Sequence, residues 1–434
     1  MTITKNSIAL LTIGNELLDG RTINTNAAYF GESIQALGLE VIEARTVPDT
    51  LEAIGEALHE LAVHTHIIVT GGLGPTSDDL TAVAAGIAFS DPCRYHAEAE
   101  RDIRATLKRI GFPYTKTQKR QAFLPAHAKI IANRWGIAPG FQMRVFKATF
   151  YFLPGVPREC RPMFDAAIAP KLRRIRGAKK LLHRSLWRCF GEREADLYAR
   201  IRPLVMKAQK LYGANFDFSS QIPFPSVDIR IEFWRGKGTR TASKKEIEEF
   251  STELTKKLAP ITYTRARESL AAVVIRLLRQ QKASLATAES CTGGLVGEML
   301  TDVAGASEAY RGGVVSYANS AKEKLLGVRP STLRRHGAVS HETAQEMAKG
   351  VRHALGADYV ISLTGVSGPG GGSAQKPVGT LFVGISDCSR TESVHRLILR
   401  SQGDRLQNRL FASFLALDML RKLILENQEK TKGK

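Results

Sequence analysis

Between Ile8 and Thr70 short apolar runs alternate with stretches of helical period, and this alternation limits the possible fold more than any other feature of the chain. Ile8–Ile13 reads as a buried strand, residues 26–37 as a helix closed by Gly38, and residues 39–42 as a second strand. Residues 51–62 read as another helix and His66–Thr70 as a third strand. A strand that leaves through a helix and returns lies parallel to its neighbour, and such sheets bury both faces under helices. The expected class is therefore α/β. Ligands of these sheets sit beyond the carboxyl ends of the strands. Residues 14–18 and 71–79 both fall at that edge.

At 434 residues the chain has room for about three domains. Its basic excess is uneven. Residues 1–168 balance 17 basic against 17 acidic side chains, whereas residues 169–260 carry 21 against 10. The shift predicts a basic connector over residues 171–188. Beyond it, a helical pattern over 196–211, an alternating strand over 227–234, a glycine-containing charged turn and a helix over 243–258 predict a small α+β module. A third unit starts with a helix over 270–280 and a strand running into Thr287. Strands over 313–317, 359–363 and 379–385 follow, then a closing helix near 404–425 and a frayed tail at 430–434. These features predict domains at 1–168, 180–260 and 266–425. No apolar run is long enough to span a bilayer, and the first seven residues hold no apolar signal core. Cys93, Cys160, Cys189, Cys291 and Cys388 are odd in number and form no Cys-x-x-Cys pair, which argues against a disulfide framework or structural zinc. The expected compartment is the cytoplasm.

Chemistry concentrates in two segments. In GGLGPTSDDLT (71–81), Gly71, Gly72 and Gly74 permit close backbone approach to phosphate oxygens, with Thr76 beside them. Asp78 and Asp79 would repel that phosphate, so a bridging divalent cation is the economical inference. Glu16 and Asp49, which follow other strands, are expected to complete its oxygen cage. The second segment, TAESCTGG (287–294), sets a hydroxyl and a thiol side by side in a turn before the amphipathic run Leu295, Val296, Met299 and Leu300. A helix start aims unpaired N–H groups at whatever lies in front of it, which favours a developing oxyanion. On the residues alone Ser290 and Cys291 are rival nucleophiles. The unit also holds His336, His341 and His353, but no motif pairs one of them with the thiol.

The motifs IGNELL (13–18), NTN (24–26), GGLGPTSDDLT (71–81), APG (138–140) and LPGVPRE (153–159) resemble the molybdopterin-binding-like domain of CinA (competence/damage-inducible) proteins. The resemblance implies a parallel or mixed sheet sandwiched by helices, as in molybdenum-cofactor enzymes, and a metal-dependent pyrophosphatase acting on ADP-ribose. Cys160 stands where the family usually has Met, a change expected to alter packing only.

AESCTGG (288–294), YANSAK (317–322), GAVS (337–340), TGVSGPGGGS (364–373), KPVGT (376–380) and GDR (403–405) resemble the family's C-terminal α/β domain, a nicotinamide mononucleotide (NMN) deamidase of the serine/lysine type. That resemblance implies Ser290 as nucleophile, Lys322 as its base, Arg405 as a substrate contact and no cofactor for this half. A lysine base must be neutral, so burial or neighbouring cations should depress its pKa. The loop holding Gly365, Gly368, Gly370, Gly371, Gly372 and Ser373 is expected to lay backbone N–H groups against the mononucleotide, and Thr364 to assist the oxyanion. Tyr317 is expected to line or stack on the pyridinium ring. Arg405 suits a phosphate or a carboxylate-like transition state; its structural alternative is a surface pair with Asp404.

In the family the middle region resembles a KH-type module, and FGEREADL (190–197) echoes its helix entry. No Gly-x-x-Gly backbone clamp occurs here, which favours a spacer or dimerisation role over RNA binding, although the basic excess keeps a nucleic-acid partner open. The combined expectation is a homodimeric, bifunctional enzyme of pyridine-nucleotide salvage whose partners are NMN and ADP-ribose. Two other classes compete with it: a molybdopterin-binding protein of cofactor assembly, and a DNA-associated competence factor without enzyme activity.

Overall fold

The computed structural model describes residues 6–175, 179–236, 240–387, 392–399 and 404–432. Cys388, Gly403, part of the charged turn (237–239) and the last two tail residues lie outside them. The chain forms two compact units, Met1–Leu182 with Trp234–Thr241, and His183–Phe233 with Ala242–Lys434. The class is mixed α/β, as expected. No helix among the described residues is long and apolar enough to cross a membrane.

The first unit is built on a six-stranded sheet ordered Val41–Val47, Ile8–Ile13, His66–Thr70, Ala148–Leu153, Gly140–Val145, Lys129–Ile131. The first four strands are parallel, Gly140–Val145 runs opposite to them, and Lys129–Ile131 runs with them again. Side chains that alternate along Ile8–Ile13 serve two cores. Ala9, Leu11 and Ile13 pack with Ile54 and Leu58 of the helix Leu51–Leu61, while Ile8 and Leu10 pack with Phe30 and Ile34 of the helix Thr25–Ala36. The second strand extends well beyond residues 39–42, to Val47. It is an edge strand that tolerates Glu43 and Arg45, so its apolar run understates its length. The chain crosses from one side of Ile8–Ile13 to the other between its second and third strands, which makes a topological switch point. Gly71 sits there with φ +106°, and a Cβ on it would lie 2.1 Å from the Ile13 carbonyl oxygen. Only glycine fits.

The second unit repeats this plan. Its five-stranded sheet runs Tyr310–Val315, Leu285–Glu289, Tyr359–Gly365, Thr380–Ser386, Glu392–Ile398; the first three strands are parallel, Thr380–Ser386 runs opposite to them, and Glu392–Ile398 runs with them again. Here the switch point lies between Leu285–Glu289 and Tyr359–Gly365. Thr287 is inside the strand rather than in the turn that follows.

The predicted connector over 171–188 is a correction, because Lys180–Cys189 is a strand. It belongs to a four-stranded sheet ordered Phe216–Gln221, Val227–Arg235, Lys180–Cys189, Thr262–Thr264. Its basic residues concealed it: Arg184 and Arg188 pair with Glu232 and Asp228 of Val227–Arg235, while Trp187 and Cys189 are buried. The helices Glu194–Tyr212 and Lys244–Leu258 complete the α+β pattern. Phe190 joins the core of the five-stranded sheet, with its ring 5.2 Å from Phe411 and 5.7 Å from Phe414.

One close approach bears on the site. Gly350, in the helix His341–Leu355, lies so near the helix Asn319–Leu326 that a Cβ would sit 1.9 Å from the Leu326 carbonyl oxygen. That second helix carries Lys322. Gly350→Ala is therefore expected to destabilise this unit by about 1–3 kcal/mol through overpacking, read as a lowered urea midpoint with an unchanged slope.

Candidate active site

Ser290 follows the strand Leu285–Glu289, and Lys322 is carried by the helix Asn319–Leu326. Lys322 Nζ lies 3.0 Å from Ser290 Oγ. Both residues are buried, at 8% and 1% exposure. The amine also meets the carbonyl oxygens of Ser316 at 2.7 Å and Tyr317 at 3.3 Å. A neutral amine offers two hydrogens and one lone pair. The two carbonyls take the hydrogens and leave the lone pair for the Ser290 hydroxyl. Burial lowers the Lys322 pKa below the ordinary lysine value of 10.5, with Cys291 opposing the shift. The Cys291 thiol is pushed up to about 12, chiefly by burial. It stays protonated near neutral pH, and His336, His341 and His353 do not line the cleft. The hydroxyl is the better-equipped nucleophile.

The helix expected to face Ser290, Leu295–Thr301, gives it no donors. The N–H groups of Gly294 and Val296 reach Glu289 Oε2 at 3.0 and 3.1 Å, and that of Gly297 reaches Oε1 at 2.9 Å. The Thr292 hydroxyl adds a fourth bond at 2.7 Å. Glu289 is 1% exposed and has no cationic partner among the described residues. The helix start is thus turned onto this buried carboxylate, which fixes the turn that carries Ser290.

The cleft, about 200 Å³, is bordered by Ser290, Cys291, Tyr317, Lys322, Thr364, Gly365, Ser367 and Arg405, with Ala338 and Val339. Arg405, the first residue of the helix Arg405–Lys432, donates to the Gly368 carbonyl at 2.9 Å and the Tyr317 phenol oxygen at 2.8 Å. Asp404 accepts the Gln407 N–H instead, as a helix cap. Thr364 donates its hydroxyl to the Ala338 carbonyl at 2.7 Å, so its hydrogen is turned away from any oxyanion. Gly370, Gly371, Gly372 and Ser373 are exposed and off the cleft wall. Their loop folds onto its own exit: the Ser373 N–H bonds the Lys376 carbonyl, and Gly372 lies against Val378.

In the first unit Glu16, Asp49, Asp78 and Asp79 border one cleft of about 870 Å³ with Gly71, Gly72 and Gly74. Thr76 is not on its wall; its hydroxyl and N–H bond Asp79 Oδ2 at 2.5 and 2.9 Å. The Gly74 N–H bonds Asp79 Oδ1 at 2.7 Å, so Asp79 braces the glycine loop. Asp49 accepts the Asn15 N–H at 2.8 Å. Among the described residues no three His, Cys, Asp or Glu side chains converge to hold a metal, so the expected oxygen cage is not assembled. Burial pushes the Asp49 carboxyl up; the Asn15 N–H opposes this, and the fields of Glu16, Asp78 and Asp79 add to it. That negative field suits a cation that keeps most of its water and takes ligand phosphate oxygens, rather than an all-protein cage.

The sequence profile described as CinA C-terminal domain matches residues 267–424, and that described as Probable molybdopterin binding domain matches residues 9–174. A putative competence-damage inducible protein of Caldanaerobacter subterraneus subsp. tengcongensis is 37% identical over 420 residues, covering 96% of this chain and 98% of its own. The chain belongs to the CinA family. A CinA-like protein of Desulforapulum autotrophicum is also 37% identical, over 429 residues, with the same two shares covered. Among solved structures, a competence/damage inducible protein of Agrobacterium tumefaciens is 35% identical, covering 37% of this chain and 99% of its own at a TM-score of 0.34.

Three residues of this CinA chain hold the site without having stood out in the sequence. Glu289 is the first. Asn408 donates to the Ser367 carbonyl at 3.0 Å, and Arg409 reaches the Thr292 carbonyl through Nε at 3.1 Å and Nη2 at 2.7 Å. A usable signal existed. Glu289 is a carboxylate at the end of a mostly apolar strand, and Asn408 and Arg409 lie one turn beyond Arg405 on the same helix face. Glu289→Gln keeps the size of the side chain but turns an NH₂ toward converging donors. It is expected to cost about 1–3 kcal/mol, seen as a lower urea midpoint that Glu289→Asp does not reproduce in full.

Proposed function

We propose that the C-terminal unit hydrolyses NMN to nicotinic acid mononucleotide and ammonia through a Ser290 acyl-enzyme. The observation that carries this reading is the buried Lys322 amine 3.0 Å from Ser290 Oγ, with carbonyl oxygens rather than a carboxylate as its other partners. The amine takes the hydroxyl proton as Oγ attacks the carboxamide carbon, then passes it to the departing ammonia. Water, deprotonated by the same amine, opens the ester. The Cys291 N–H meets no backbone acceptor among the described residues, follows the nucleophile directly and belongs to a residue that borders the cleft, which suits it to the oxyanion. Tyr317 offers its ring face to the pyridinium, and Arg405 offers its guanidinium to the phosphate.

Ammonia release from NMN is expected to fall by at least about a thousandfold in Ser290→Ala and in Lys322→Met, and to persist in Cys291→Ala. Persistence in the serine variant with loss in the cysteine variant would overturn the assignment. The base works only when uncharged, so kcat/KM should rise with pH through the lowered Lys322 pKa and level off below 10.5.

For the N-terminal unit we propose cleavage of ADP-ribose to AMP and ribose 5-phosphate with a divalent cation. The carboxylate-bordered cleft beside Gly71, Gly72 and Gly74 supports it. Chelation by EDTA should abolish product formation and added magnesium should restore it; turnover that ignores EDTA removes the metal from the scheme. The matching profile's description favours one other reading of this unit, a pterin-binding protein. Retained molybdopterin without ADP-ribose turnover would decide for it.

A further inference from the structure

We infer that Arg409 is a positioning residue for the nucleophile turn, holding the Thr292 carbonyl so that the Cys291 N–H is fixed on the oxyanion side. The inference rests on the serine-hydrolase reading and adds to it the device that keeps the donors in place.

The argument runs through three linked peptide planes. In a trans peptide the carbonyl and the N–H point in opposite directions, so tying one sets the other. The Thr292 carbonyl is gripped by two nitrogens of Arg409, at 3.1 and 2.7 Å. That orients the Gly293 N–H, which bonds the Ser290 carbonyl at 3.1 Å. The Ser290 carbonyl is thereby held inside the turn, and the Cys291 N–H of the same plane points away from it, with no backbone acceptor among the described residues. The plane between belongs to Cys291 and Thr292. Its carbonyl accepts the Ser367 hydroxyl at 3.4 Å, and Ser367 is in turn held by Asn408. Each plane has its carbonyl tied, and two N–H groups are left over.

The turn needs such ties. Gly293 and Gly294 follow one another at φ +63° and +94°, and glycine leaves the backbone freer than any other residue. Glu289 secures the turn from the helix side, but its bonds reach Thr292 only through the hydroxyl and then skip to Gly294. The Thr292 carbonyl takes a long bond of 3.4 Å from the Leu295 N–H, and its two shorter bonds come from Arg409. The guanidinium has no carboxylate partner among the described residues, so its fork is given to that one carbonyl.

An oxyanion contact exists only in the transition state, so loosening its donors should lower kcat and leave KM alone. In the full-length protein, Arg409→Ala and Arg409→Gln are each expected to lower kcat for NMN by roughly 10- to 100-fold, with KM unchanged within about threefold. Binding of the product, nicotinic acid mononucleotide, should be retained by calorimetry. Added guanidinium ion should recover part of kcat in Arg409→Ala and none in Ser290→Ala. The glutamine variant retains a hydrogen-bond donor, and thermal melts of both variants show whether either is folded. A folded variant with unchanged kcat, or one whose loss lies in KM with product binding lost as well, overturns the positioning role. If Ser290→Ala abolishes ammonia release while Arg409→Gln does not lower it, only the Arg409 inference falls. Wild-type protein inert toward NMN removes the hydrolase reading, and this inference with it.

Discussion

A lysine amine held out of water beside a serine hydroxyl is the interaction on which the C-terminal site depends. An ammonium group in bulk water has no reason to give up its proton near neutral pH. Lys322 is 1% exposed and its partners are carbonyl and hydroxyl oxygens, so no carboxylate among the described residues offsets a full charge on it. The same oxygens can satisfy the two hydrogens of the uncharged form. In the proposed mechanism desolvation supplies the base, and hydrogen bonding aims it.

The supporting structure follows from that requirement. Ser290 and Lys322 come from different elements, a strand exit and a helix, and the approach of that helix is limited by Gly350 against Leu326. The nucleophile turn is gripped by Glu289 on one side and Arg409 on the other. A buried carboxylate is a costly group to place inside a protein unless it meets matched partners. Here Glu289 meets four donors, and two nitrogens of Arg409 meet one carbonyl.

Both units place their candidate sites at a topological switch point of a mixed sheet, where neighbouring strands depart in opposite directions and leave a crevice at their carboxyl ends. What lines each crevice differs. The first unit presents glycines and carboxylates, a combination suited to phosphates with a hydrated cation. The second presents a hydroxyl, an amine and unoccupied N–H groups, a combination suited to acyl transfer. One architecture thus presents two different sets of side chains, because the loops rather than the sheet line each crevice.

Much of this was legible in the residues. Apolar period revealed the strands Ile8–Ile13 and His66–Thr70, while glycine and hydroxyl spacing located both strand-end loops. Edge and ion-paired strands were not legible: residues 41–47 and 180–189 carry charges that find partners or solvent only once a neighbour is present. The sequence by itself determined the class of fold, which depends on local period, and its motifs carried the resemblance to the family and named the candidate reactive groups. Tertiary structure alone decided that Lys322 is buried against Ser290, that Thr364 is turned away, that residues 370–373 leave the cleft, and that Glu289 takes the helix start. Those outcomes depend on distances between segments far apart in the chain, and no local pattern encodes a distance.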